Sequence, residues 1–141
     1  MTALAGALLL TGRVLFAGLF AYSARGHIQN HARYAGIARG KLPIPGLAGW
    51  PTGMFLLLAD VSIVAGIWPD VGSLMIAAFL IPTTLLFHPF WSVTDAAARR
   101  PQEGFFYRNV SLLGASLSLF VMFAVVGHIP FAVTGSALNL R

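Results

Sequence analysis

Four stretches of this chain are continuously apolar, and each is about as long as a bilayer crossing. They run over 3–24, 50–68, 71–90 and 105–127, with polar residues gathered between them. A helix rising ~1.5 Å per residue needs about 20 residues to cross ~30 Å of hydrocarbon. Backbone groups in lipid must be paired within their own segment, so helices are the expected spanning element. The pattern predicts an all-α integral membrane protein, an antiparallel four-transmembrane-helix bundle forming a single domain over 1–141. The first segment reads as a span and not as a cleaved signal: it lacks a basic leader, is long, and contains Arg13.

The connections are uneven. Loop 1, about 25–49, is long and carries Arg25, His27, His31, Arg33, Arg39 and Lys41 before Pro43, Pro45 and Gly46. Loop 2 reduces to Pro69-Asp70, a tight turn that makes an antiparallel hairpin of the second and third spans. Loop 3, about 92–104, holds Asp95, Arg99, Arg100, Pro101 and Glu103. The tail after His128 is interrupted by Pro130 and Gly135, which end any continuation of the fourth helix.

Composition supports the membrane reading. Only 9% of residues are charged and 57% are hydrophobic, with a mean hydropathy of +0.80. A soluble domain is nearer a quarter charged, so the composition argues against a soluble enzyme, a disordered tail and a nucleic-acid-binding domain, despite the net charge of +5. The absence of cysteine excludes disulfides, thiol nucleophiles and Cys-ligated clusters. With four spans, loops 1 and 3 share one side and carry Arg25, Arg33, Arg39, Lys41, Arg99, Arg100 and Arg108; the other side has only Arg141. That asymmetry predicts loops 1 and 3 in the cytoplasm and both termini outside.

Charges inside a span are costly and need a partner or a purpose. Arg13 and Asp60 both lie roughly 12–14 Å from the outer face at ~1.5 Å per residue, so an Arg13–Asp60 pair near the midplane is expected. It would serve either helix packing or a polar site for an anion, a proton or a quinone carbonyl; the remaining alternative is an Arg13 that faces a partner protein or lipid. A second polar layer falls near the cytoplasmic face, where Tyr22, His88 and Asn109 each sit roughly 25–27 Å along their helices, with His27, Gln29 and His31 just beyond. These groups are ordinary interfacial residues or a headgroup-level pocket for a quinone ring, with His88 exchanging a proton.

His27 and His31 have a helical spacing that suits a metal, but no third ligand accompanies them, and only His88 is close enough to a span for haem; no metal site is predicted. Pro82 with Thr83 and Thr84 predicts a kink whose freed carbonyls are met by hydroxyls. Ser111, Gly114, Ala115 and Ser118 form small-residue pairs suited to close helix contact. Nucleotide loops, serine elbows and zinc-binding helix motifs are absent from the sequence.

The order of several short motifs resembles the DoxX-like family of small four-helix bacterial membrane proteins. They are Gly12-Arg13, Gly18 and Phe20 in the first span and Gly26-His27 after it; then Gly66-Ile67-Trp68-Pro69, Phe87-His88-Pro89-Phe90-Trp91, and Arg108-Asn109 followed by Leu113-Gly114. The resemblance covers nearly the full length and implies a bundle in the bacterial cytoplasmic (inner) membrane. It also implies an association with oxidoreductase complexes and quinones, since the family name derives from a subunit of thiosulfate:quinone oxidoreductase. Arg13, His88 and Asn109 are the matching polar positions. Many members carry a Glu early in the second span, where this chain has Phe55-Leu56-Leu57-Leu58; that role is absent here or shifted to Asp60.

The sequence thus leads to a membrane subunit or quinone-interacting accessory of an oxidoreductase, taking menaquinone or ubiquinone at candidate sites among Arg13, Asp60, Tyr22, His88 and Asn109. Its expected partners are the lipid bilayer and other membrane proteins or further copies of itself, not nucleic acid. A non-catalytic scaffold subunit is the alternative, with a small transporter or lipid-handling protein third. Whether the chain is itself an enzyme is not readable from its residues.

Overall fold

The structure is a computed structural model and describes residues 1–140; Arg141, counted above in the charge asymmetry, lies outside the described residues. Five α-helices follow one another: α1 (Ala3–Gln29), α2 (His31–Ala38), α3 (Trp50–Ala65), α4 (Pro69–Phe87) and α5 (Ala96–Val126), with short 3-10 turns at Pro45–Ala48 and Phe90–Ser92. Three of them, α1, α4 and α5, are long and apolar enough to cross a membrane; α3 is apolar but has only 16 residues. The expected four spans become three long helices, one shorter one and a fifth helix inside loop 1.

α1 and α5 outrun their apolar segments, while α3 and α4 stop about three residues short of theirs, because hydropathy marks lipid contact, not helix ends. α1 starts where the Thr2 hydroxyl accepts from Ala5 N at 3.2 Å and continues past the predicted 24 to Gln29. Likewise α5 begins at 96, not 105. The Asp95 carboxylate caps it by accepting from Ala98 N at 2.8 Å, ahead of three alanines that are strong helix formers. Loop 3 shrinks accordingly. Loop 2 is not the Pro69-Asp70 turn: both residues sit in the first turn of α4. The reversal lies at Gly66–Trp68, with Gly66 in the left-handed region (φ 67°) that ends α3.

α1 packs on α3, α3 on α4, and α4 on α5. The pairs run antiparallel. On the α1–α3 seam Arg13 meets Ile63 and Val64, while Gly53 meets Ala24 and Ile28. On the α4–α5 seam Ser116 donates to Ser73 O at 2.6 Å, and His88 bonds Gln102 at the opposite end. A Cβ at Gly53 would stand 2.8 Å from the Ala24 carbonyl, so only glycine permits this approach of α1 and α3. Phe20, Ala24, Leu56, Ala59, Ile63, Ile76 and Leu80 form the buried core between α1, α3 and α4.

Pro82 lies within α4 without ending it. Its missing N–H frees the Ala78 carbonyl, yet the Thr84 hydroxyl donates to Leu80 O at 2.6 Å instead, so the hydroxyl does not meet the freed group as expected. Ser111, Gly114, Ala115 and Ser118 are all exposed, and their hydroxyls bond within α5. The small-residue face therefore lies on the exposed side of α5, with open space beside Gly114.

The tail is a folded strap. Residues 128–140 cross the end of the bundle where α3 stops and α4 starts. Val133 N donates to Ala65 O and Thr134 N to Gly66 O, both at 3.0 Å. Asp70, fully buried, accepts from Ala137 N at 2.9 Å and Leu138 N at 2.7 Å. Asp70→Asn replaces one acceptor oxygen with an amide that faces an N–H donor. A loss of about 2 kcal/mol is expected, read as a lower unfolding midpoint together with faster protease clipping of the tail.

Candidate functional site

The two halves of the bundle treat their polar groups differently. At the strap end, Arg13 is completely buried and its guanidinium binds only backbone. Nε donates to Ile63 O at 2.7 Å, Nη2 to Val64 O and to Phe131 O at 3.2 Å, and Nη1 to Pro130 O at 3.3 Å. The last carbonyls of any helix lack intrahelical partners, and in lipid no water replaces them. For α3 the accounts close: Ser62 O accepts from Gly66 N and Ile67 N, Ile63 O and Val64 O from Arg13, and Ala65 O from the strap. Arg13 is thus the C-terminal cap of a helix fifty residues away in sequence.

The expected Arg13–Asp60 pair does not form. Both Asp60 carboxylate oxygens are buried without a hydrogen-bond partner. The α1–α3 register set by Arg13 with Ile63 and by Ala24 with Gly53 puts Asp60 level with Ala17, about one turn from the capped carbonyls. Depth arithmetic put the two residues at the same level, but the guanidinium goes to carbonyls that already define its position, and Asp60 is left alone.

The opposite end contains a cavity of about 590 Å³ between α1, α2, α4 and α5, within the size range of small-molecule sites. Its apolar wall comes from Leu19, Phe20, Phe79, Leu80 and Leu112; its polar wall comes from His27, Tyr34, His88, Gln102, Arg108 and Asn109, with Arg33 at the rim. It exists because α1 and α5 share little direct packing. The strap closes their gap at its own end, where Pro130 and Phe131 rest on Gly6; at this end α2 contributes Arg33, Tyr34 and Ile37 to the cavity lining.

Each polar group is held by its neighbours. His27 is buried, with Nδ1 on the Ala48 carbonyl and its ring stacked on Tyr34 at 4.0 Å. His31 Nδ1 accepts from Trp50 N at 3.2 Å. These two imidazoles, spaced as a metal pair would be, therefore act as fasteners: His27 ties α1 to Ala48 of loop 1, and His31 ties α2 to the start of α3. His88 Nδ1 lies 2.8 Å from Gln102 Oε1, and its ring tilts against Phe105. Asn109, 3% exposed, accepts from Arg108 at 3.3 Å, which leaves its amide N–H groups facing the cavity.

Of the residues singled out by sequence, His88 and Asn109 meet on one cavity wall. Tyr22 does not join them: it is 75% exposed and points away from the bundle. Arg13 and Asp60 belong to the other half. Tyr34 and Gln102 were missed, because each sits on a helical extension (α2 and the first turns of α5) that lacks the apolar run used to find spans. The signal available was the helix-forming alanines around both.

An all-helical chain with long apolar helices, a buried arginine cap and an amphiphilic cavity is a membrane protein. The sequence model of the DoxX family matches residues 8–89, more than half of the chain, and this protein belongs to the DoxX family. The match takes in α1 to α4 and stops before α5, so Arg108-Asn109 lies beyond it. No curated protein and no solved structure matches the chain.

Proposed function

We propose that this DoxX-family protein is a four-span bundle of the bacterial cytoplasmic membrane that binds an isoprenoid quinone as an accessory or subunit of an oxidoreductase. The observation that carries this reading is the cavity: an apolar, aromatic floor continuous with the gap between α1 and α5, topped by two imidazoles, a phenol and two amides. A prenyl tail suits the gap, and a ring with two oxygens suits the polar wall. On this reading α3 is the fourth span, with the strap completing its depth. The cavity end faces the cytoplasm, since Arg25, Arg33, Arg39, Lys41, Arg99, Arg100 and Arg108 are all exposed there.

Solvent extraction of the detergent-purified chain tests this directly. Near-stoichiometric quinone is expected in the native protein. Asn109→Leu, which removes the amide N–H donors, is expected to reduce it by about tenfold. A native chain that carries no quinone and takes up none when incubated with menaquinone in its oxidised or its reduced form overturns the reading. If that quinone-free chain migrates within a larger complex, the scaffold role takes its place; the outward face of Val110, Gly114, Leu117 and Val121 on α5 is the surface that favours it.

A further inference from the structure

We infer that the cavity selects the reduced, dihydroxy form of its ring ligand over the dione, an inference that rests on the quinone reading above. The reason is the protonation pattern imposed on the two cavity imidazoles. A neutral imidazole has one N–H and one lone pair, and the partner of one nitrogen decides the state of the other. At His27 the Ala48 carbonyl can only accept, so Nδ1 carries the proton and Nε2 the lone pair. At His88 the structure turns the Gln102 amide oxygen to Nδ1 at 2.8 Å, and in that orientation of the amide the same arrangement follows. Neither Nε2 has a hydrogen-bond partner among the described residues, and both residues line the cavity.

The polar wall therefore presents two fixed acceptors. A quinol has two O–H donors to give them, while a quinone has only oxygens that accept, which would face lone pair against lone pair. The remaining groups do not reverse this preference. The Tyr34, Ser23 and Thr83 hydroxyls rotate to donate or accept, and the Thr52 hydroxyl is given to Leu47 O. The Gln102 N–H groups, like the free ones of Asn109, bond a quinol oxygen as well as a quinone oxygen. Arg33 and Arg108 are exposed, so a bond to the ligand there replaces one to water for either form. No carboxylate lines the cavity.

The test uses the full chain in nanodiscs under anaerobic conditions, with empty nanodiscs as the partition control. Three probes of nearly equal size are titrated calorimetrically: 1,4-dihydroxynaphthalene, 1,4-naphthoquinone and 1,4-dimethoxynaphthalene. The dihydroxy compound is expected to bind about tenfold tighter than the other two, the gain from hydrogen bonds that only it can donate. His27→Phe combined with His88→Phe is expected to bring the three within about twofold of each other. Gln102→Glu provides a second, milder variant: a carboxylate on Nδ1 favours the imidazolium, turns Nε2 of His88 into a donor, and is expected to shrink the preference while the chain stays folded. Equal or tighter binding of the dione to the native chain overturns this inference and leaves the cavity reading standing. Failure of all three probes, together with the native chain carrying and taking up no menaquinone, overturns both.

Discussion

Replacing Arg13 by methionine is expected to destabilise the protein by about 3–5 kcal/mol, the largest effect of any single substitution proposed for this chain. Methionine fills similar space but donates nothing. Two α3 carbonyls, Ile63 and Val64, lose their partners, and each unmet buried group costs ~1–3 kcal/mol. Pro130 and Phe131 lose theirs as well, so the strap loosens. Arg13→Lys is expected to recover less than half: an ammonium keeps the charge, but its three donors from one point cannot serve carbonyls on both α3 and the strap. Thermal unfolding in detergent measures the loss, expected on the order of 10 °C. An unchanged midpoint would show that water reaches these carbonyls and that the cap is dispensable.

Asp60→Leu is expected to act in the opposite direction, stabilising by about 1–3 kcal/mol, because a buried carboxyl without a hydrogen-bond partner costs free energy that an apolar side chain does not. The contrast with Arg13 discriminates sharply between arrangements. If the two residues formed a buried ion pair, removing either one would strand the other and both single variants would be destabilised. With Arg13 bound to carbonyls and Asp60 unpaired, the two changes differ in sign. A destabilised Asp60→Leu chain would restore the pairing that sequence depth predicts. Asp60→Asn, which is closer in size, guards against a misleading clash with Ala17. It is expected to fall between native and Leu, since the amide is neutral but still polar.

The contrast between Arg13 and Asp60 also shows how far local reasoning reaches. Their matching depth follows from helix rise alone, and depth is what a sequence can supply. Pairing is different, since it depends on which way each side chain turns and on what competes for it. The competitor of Asp60 is the open C-terminus of α3, which exists only because Gly66 stops that helix short of the strap. His88 and Asn109 were legible for a related reason, since both lie on spans whose lengths are readable. Tyr34 and Gln102 were not, because hydropathy is silent about helices outside lipid. The tail was read as chain that cannot continue α5, which is correct about its prolines and glycines and blind to its hydrogen bonds.

By itself the sequence determined that this is an all-helical membrane protein, where its apolar runs lie, and on which side its cations gather. Those properties depend on composition and on spacing along one helix, and lipid enforces them without reference to the rest of the fold. Only the tertiary structure decided that Arg13 caps α3, that Asp70 holds the strap, that Asp60 stands unpaired, and that the gap between α1 and α5 is closed by the strap at one end and holds the cavity at the other. Each of these is a contact between segments far apart in sequence. Their geometry is set by the close approach of helices at residues such as Gly53, which no periodicity along a single segment encodes.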